Sequence, residues 1–125
     1  MKKIINPKGA PSPIGPYSRA VMAGNTLYTS GNIALDSDGN LYHGDIKTET
    51  RIVMNNLKLL LETAGLDFND VVKTSIFLSD MNNFASVNEV YASYFSTDFP
   101  ARETVQVARL PKDANVEISM IAIKS

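Results

Sequence analysis

Two charged residues stand in apolar, β-rich sequence near the end of the chain, in "FPARETVQVARLPKDANVEISMIAI" (Phe99 to Ile123): Arg102 opens one β-type stretch and Glu117 lies near the start of the next. A guanidinium forks onto a planar carboxylate through two charge-assisted hydrogen bonds, and Pro100-Ala101 stiffens the approach while leaving room beside Arg102. An arginine at a strand start also serves to pair with a surface acid, and both roles stay open on these grounds. In "NVEISMIAI" the period of two places Glu117 on one face with Ser119, Ile121 and Ile123. If self-association buries that face, desolvation raises the pKa of the carboxyl and suits it to act as a general base or to hold a reacting water. If the face stays wet, Glu117 is a solvated residue at a strand end.

Other positions join these two as candidates. Ser30-Gly31 interrupts the strand-like "TLYTSGNIAL", where glycine marks a bulge, a hairpin bend or a ligand lying against backbone. Tyr17 closes the rigid turn "IGPY", which would fix a phenol in place or bury it as core. Asn88 falls between apolar residues of a helix and points either into a pocket or into water. His43 is the one histidine and no cysteine is present, so neither a zinc site nor a Ser-His-Asp triad is expected, and no glycine-rich phosphate loop is found.

The 125 residues suit one domain, residues 1–125, and a hydrophobic content of 44% is enough for one ordinary core. Twelve Lys and Arg against thirteen Asp and Glu give a net charge of -1, which supplies no positive field to gather phosphates, so nucleic acid is not an expected partner. No apolar run approaches the ~20 residues that cross a bilayer, and "MKKIINPKG" lacks the apolar core of a signal peptide. A cytoplasmic protein without a membrane partner is expected.

The elements that must position these residues are legible from periodicity. β-type residues flank Ala23-Gly24-Asn25, predicting a hairpin. "GDIKTETRIVMNNLKLLLETAG" places Ile46, Val53, Leu57, Leu60, Leu61 and Ala64 on one helical stripe, with Asp45 as N-cap and Gly65 as stop. "DVVKTSIFLSD" reads as a strand with Val72, Thr74, Ile76 and Leu78 on one face. Asp80 then caps a second helix bearing Phe84, Val87, Tyr91 and Phe95, and the last strands are predicted at about Glu103 to Leu110 and Val116 to Lys124. The order is hairpin, helix, strand, helix, strand, strand, an α+β domain with a mixed sheet and both helices on one face. The apolar residues of the opposite face predict self-association.

Taken together, "IGPYS" at 14 to 18, "TSG" at 29 to 31, "VNEVY" at 87 to 91, "FPAR" at 99 to 102 and "VARLPKDANVEI" at 107 to 118 closely resemble the RidA/YjgF family of enamine/imine deaminases over nearly the whole length. The resemblance implies a chorismate-mutase-like fold, a homotrimer with clefts between subunits, and small 2-imino or 2-keto acids as ligands without a metal or cofactor. It implies that Arg102 binds the substrate carboxylate, that Glu117 positions or activates water, and that Tyr17, Ser30, Gly31 and Asn88 line the cleft. Thr104 stands where many members have Cys, which keeps a small polar lining and excludes thiol chemistry. Glu103 replaces the usual Ser or Ala beside the arginine, although alternation turns it to the other face. "GNIA" stands where "GQIP" is common, so Asn32 departs too, and together these changes bear on substrate preference.

The activity so implied is hydrolysis of 2-aminoacrylate and its 2-iminopropanoate tautomer to pyruvate and ammonia. Two other classes compete with it: a regulatory module that holds a 2-keto acid without turnover, and RNA cleavage, which the acidic balance disfavours. With the last two strands taken as neighbours, Arg102 comes level with about residue 124. The offset from Glu117 is then seven residues, roughly 23 Å at ~3.3 Å per residue. The arginine and the glutamate of one cleft are therefore expected to come from different subunits.

Overall fold

A computed structural model describes residues 1–10 and 12–125. Eight regular elements follow the chain: β1 (Lys2–Ile5), β2 (Ala20–Ala23), β3 (Thr26–Thr29), α1 (Ile46–Thr63), β4 (Val71–Leu78), α2 (Phe84–Ala92), β5 (Ala101–Gln106) and β6 (Val116–Ile123). They form an α+β domain around one mixed sheet in the order β1-β2-β3-β6-β4-β5, all neighbours being antiparallel except the parallel pair β4 and β5.

The hairpin lies where the sequence places it, Gly24 turning at φ +59° between the paired residues Ala23 and Thr26. The Asp45 carboxylate caps α1 by accepting from the Thr48 N–H at 2.9 Å, and Gly65 leaves the helix at φ +79°. Val53, Met54, Leu57 and Leu61 of α1 then close over Leu27, Ile76, Leu78, Ile118 and Met120, all at 0–2% exposure. Val87 and Tyr91 of α2 complete the same core, so both helices cover one face of the sheet.

Four expectations are corrected. A register shift between Val71 and Lys73 puts Val71 into the core at 5% exposure and turns Val72 out at 45%, so Val72 does not share the face of Thr74, Ile76 and Leu78. Asp80 caps a single 3-10 turn, Met81–Asn83, that runs into α2, and α2 ends at Ala92, before Phe95. The lysine-rich β1 escapes prediction because it is a four-residue edge strand whose two charges suit solvent. Most consequential, β5 and β6 are not neighbours, since β4 lies between them. Arg102 is level with Thr74 and thus with Met120, three residues from Glu117 rather than seven.

The face away from the helices carries a smaller cluster of Ile33, Leu110 and Ala114, against which Phe77 and Val107 pack. It also leaves Ile4, Tyr28, Val105 and Ile123 at 42–49% exposure.

One buried carboxylate ties the helical layer to the approach of β6. Glu49, 1% exposed, accepts from the Asn115 backbone N–H at 2.8 Å and from its side-chain amide at 2.9 Å. Hydrogen bonds to a charged group contribute about 1.5–3 kcal/mol each, so Glu49→Ala is expected to lower stability by about 3 kcal/mol. A fall in the urea midpoint at unchanged slope is the measurement that checks this.

Candidate active site

Glu117 stands on the face of the sheet away from the helices, directly opposite Phe77 of β4. Its other neighbour is irregular. After β3 the chain bends at Ser30, whose N–H donates to the Arg19 carbonyl at 2.8 Å and whose hydroxyl donates to the Ser18 carbonyl at 2.6 Å. It returns to β6 at Asn32, which exchanges two backbone hydrogen bonds with Ile118 at 2.8 and 3.0 Å. Gly31 lies inside this bend and against the glutamate: a Cβ there would sit 2.6 Å from the Glu117 carboxyl. A side chain at this position would have to displace the Glu117 carboxyl, so the glycine lets the carboxylate lie close against the backbone of the bend.

The half-buried Glu117 carboxyl opens into a cavity of about 580 Å³ whose walls include Tyr17, Ser30, Gly31, Asn32 and Lys112. Burial raises its pKa above the ordinary carboxylate value, and none of the ion pairs among the described residues involves it. Tyr17 is 53% exposed rather than core, held by a tight turn in which its N–H donates to the Gly15 carbonyl at 2.9 Å. Lys112 escaped the sequence reading. It enters the wall because the Pro111–Asp113 turn takes left-handed φ of 55° at Lys112 and 59° at Asp113, a conformation that costs non-glycine residues energy. A two-point ion pair from Arg109 to Asp113, at 2.6 and 3.1 Å, holds that turn.

Arg102, Thr104 and Asn88 form a separate group on the helical side. Arg102 is opposite the buried Thr74, and its guanidinium carbon lies 5.1 Å from the centre of the Tyr91 ring and 5.7 Å from that of Phe84. Phe84, Asn88 and Tyr91 fall on one stripe of α2 by their spacing of four and three. The Thr104 hydroxyl is buried with no hydrogen-bond partner among the described residues, a state that buried polar atoms rarely keep in a complete site. Glu103 does not compete for the arginine. It faces the other way, pairing with Lys73 at 3.0 Å and accepting from the Ser75 hydroxyl, contacts that hold its pKa below the ordinary value, the serine bond first.

The seven candidates therefore fall into two groups within a chain: Glu117, Gly31, Ser30 and Tyr17 on one side, Arg102, Thr104 and Asn88 on the other. Arg102 and Glu117 are two strands and three residues apart, about 10 Å across and about 10 Å along, with side chains on opposite faces. The offset is three residues rather than seven, and within one chain the two charged side chains leave the sheet on opposite faces. Among the described residues no group of His, Cys, Asp or Glu is arranged to hold a metal ion.

A family model described as Endoribonuclease L-PSP matches residues 7–124. A RutC family protein of Pyrococcus horikoshii is 52% identical over 125 residues, 99% of each chain. The mouse protein named 2-iminobutanoate/2-iminopropanoate deaminase is 46% identical across 99% of this chain and 93% of its own. Among solved structures, Escherichia coli TdcF with bound serine superposes at a TM-score of 0.92 with 40% identity, covering 98% of this chain and 99% of that one.

The raised pKa of Glu117 has a stability consequence whose sign is fixed by linkage. The folded chain holds the proton to higher pH than the unfolded chain does, so stability is lost as pH rises through the folded value. Glu117→Gln removes that loss. Its melting temperature is expected to exceed that of the unmodified protein at pH 7, and the difference to close below the ordinary carboxylate value of 4.5. Thermal melts of both proteins at pH 7 and below 4.5 check this.

Proposed function

The chain belongs to the Endoribonuclease L-PSP family, the RidA/YjgF proteins, and from that premise we propose that it hydrolyses 2-imino acids such as 2-iminopropanoate and 2-iminobutanoate to the 2-keto acids and ammonia. The observation that carries the reading is Glu117, a desolvated carboxylate pressed on Gly31 at the wall of a cavity. A base with a raised pKa takes a proton from water near neutral pH more effectively than an ordinary carboxylate. Water adds through its oxygen to C2 of the imine as Glu117 accepts one of its protons, and the C=N electron pair moves to the nitrogen, which takes up a proton to give the carbinolamine. The nitrogen is protonated once more and its C–N bond breaks while the hydroxyl gives its proton to Glu117, releasing ammonia and leaving the keto acid. Arg102 holds the substrate carboxylate through its fork, and Tyr17, Ser30, Asn88 and Thr104 line the space around it. The mouse relative's name and the serine bound to TdcF, a three-carbon amino acid, support a substrate of this size and charge.

In this reading three copies assemble in the chorismate-mutase-like manner, and each cleft joins the Glu117 group of one subunit to the Arg102 group of the next. The separation of the two groups within one chain supports it, as do the exposed Tyr28, Val105 and Ile123 and the unpartnered Thr104 hydroxyl. A net charge of -1 argues against RNA as substrate despite the family description. Release of pyruvate above the spontaneous rate of 2-aminoacrylate decay distinguishes turnover from simple keto-acid binding.

Arg102→Ala is expected to lower kcat/KM at least ~100-fold, since it removes a bidentate charged contact worth about 1.5–3 kcal/mol per bond. Near-native kcat/KM in a folded variant would reject the role. For the shared cleft, Arg102→Ala and Glu117→Gln chains, each inactive, are refolded together in equal amounts. Random mixing gives an intact arginine beside an intact glutamate in about one quarter of clefts, and activity should recover to about that fraction. A mixture shown to be heterotrimeric yet inactive would overturn the two-chain site.

A further inference from the structure

We infer that Tyr91 and Phe84 are positioning residues for Arg102, gripping the guanidinium by its face so that its N–H edge is presented, already oriented, to a carboxylate; this rests on the reading of Arg102 given above. An arginine on an edge strand carries large rotamer freedom, and that freedom is lost when it binds a ligand. Stacking uses the π face of the guanidinium, whereas hydrogen bonding uses N–H groups in its plane, so the two do not compete. Arg102 lies over both rings, 5.1 Å from the centre of Tyr91 and 5.7 Å from that of Phe84. No ion pair among the described residues involves it, in contrast to Arg109, which Asp113 engages at 2.6 Å. Its neighbour Glu103 is held on the other face by Lys73 and Ser75. The rings thus hold the arginine and leave its fork available.

Tyr91 is itself fixed. It is 4% exposed, and its hydroxyl shares a hydrogen bond of 2.8 Å with Thr74, a residue at 0% exposure. Thr74 is also the residue of β4 directly opposite Arg102. The ring and the guanidinium are therefore mounted on one step of the sheet. Phe84 approaches from the first turn of α2, 39% exposed, and so can be changed without opening the core.

The test compares Tyr91→Leu, Phe84→Leu, Tyr91→Phe and Arg102→Ala in calorimetric titration with 2-oxobutanoate, in imine hydrolysis and in thermal melts. The 15N relaxation of the Arg102 Nε–H group is recorded for the first three. Each leucine variant is expected to free the Nε–H group and to weaken 2-oxobutanoate binding, by about tenfold for Tyr91, with KM raised and kcat little changed. Tyr91→Phe keeps the ring but strands the Thr74 hydroxyl, so it is expected to lose stability while keeping affinity within about twofold. A residue with only a structural role would not separate the two. Unchanged Arg102 motion and unchanged affinity in both leucine variants would overturn the clamp, as would an affinity loss in Tyr91→Phe equal to that in Tyr91→Leu. If Arg102→Ala binds 2-oxobutanoate normally, the carboxylate-binding reading fails, and the Nε–H relaxation still decides whether the rings hold the side chain.

Discussion

The insertion of β6 between β3 and β4 is the constraint on which the rest of the structure depends. Val116, Ile118, Met120 and Ala122 are at 0–2% exposure, and burying a side chain of the larger three contributes about 1.5–3 kcal/mol each. Because the last strand of the chain fills the middle of the sheet, its partners are distant in sequence: Thr26 pairs with Ile123 and Val71 with Ala122. The same insertion separates β5 from β6 and leaves β5 at the edge. Arg102 is thereby placed on an open border of the sheet, and Glu117 in its interior beside the bend at Gly31.

Alternation does the remaining sorting. On β6 the residues that build the core and those that face the cavity are neighbours in sequence, so packing of Ile118 against the helices obliges Glu117 to the other side. On β5 the same rule assigns Arg102 to the helical side and Glu103 to the opposite one. The acids nearby are each provided for: Glu49 by Asn115, Glu103 by Ser75 and Lys73, Asp113 by Arg109. For Glu103 and Asp113 those partners lower the pKa, whereas Glu117 meets only burial and is raised. One carboxylate is thus left without an ion-pair partner among the described residues while neighbouring ones are satisfied.

The two charged residues are supported differently. Glu117 depends on backbone: the bend at 30–32, the absence of a Cβ at Gly31 and the strained turn at Lys112-Asp113 that delivers the chain to β6. Arg102 depends on side chains, the rings of Tyr91 and Phe84 with Thr74 behind them. Backbone support limits how far the Glu117 carboxyl can shift, and ring support holds the guanidinium by its face while leaving its N–H edge open.

Much of this was legible in the chain. The stripe of Val53, Leu57, Leu60 and Leu61 specified α1, Asp45 and Gly65 marked its ends, and the period of two at Val116 to Ile123 specified β6 and the face of Glu117, because local sterics and burial act over a few residues. Motif spacing pointed to the family and to its charged pair. Strand order was not legible, since hydrogen bonds between strands carry no sequence signature of their own. That is why the sequence places β6 beside β5, and why the seven-residue offset of Arg102 does not hold. The bulge at Val72 is hidden for the same reason, and β1 because its charges and shortness read as an exposed terminus. Phe84 and Tyr91 read as core residues by their helical spacing, and only the parallel docking of β5 on β4 brought Arg102 over their rings. Sequence determined which residues carry charge and which way each strand alternates; tertiary structure decided which strands meet, and hence that Arg102 and Glu117 face opposite sides of one sheet, because contacts between distant segments are chosen by how the whole core packs.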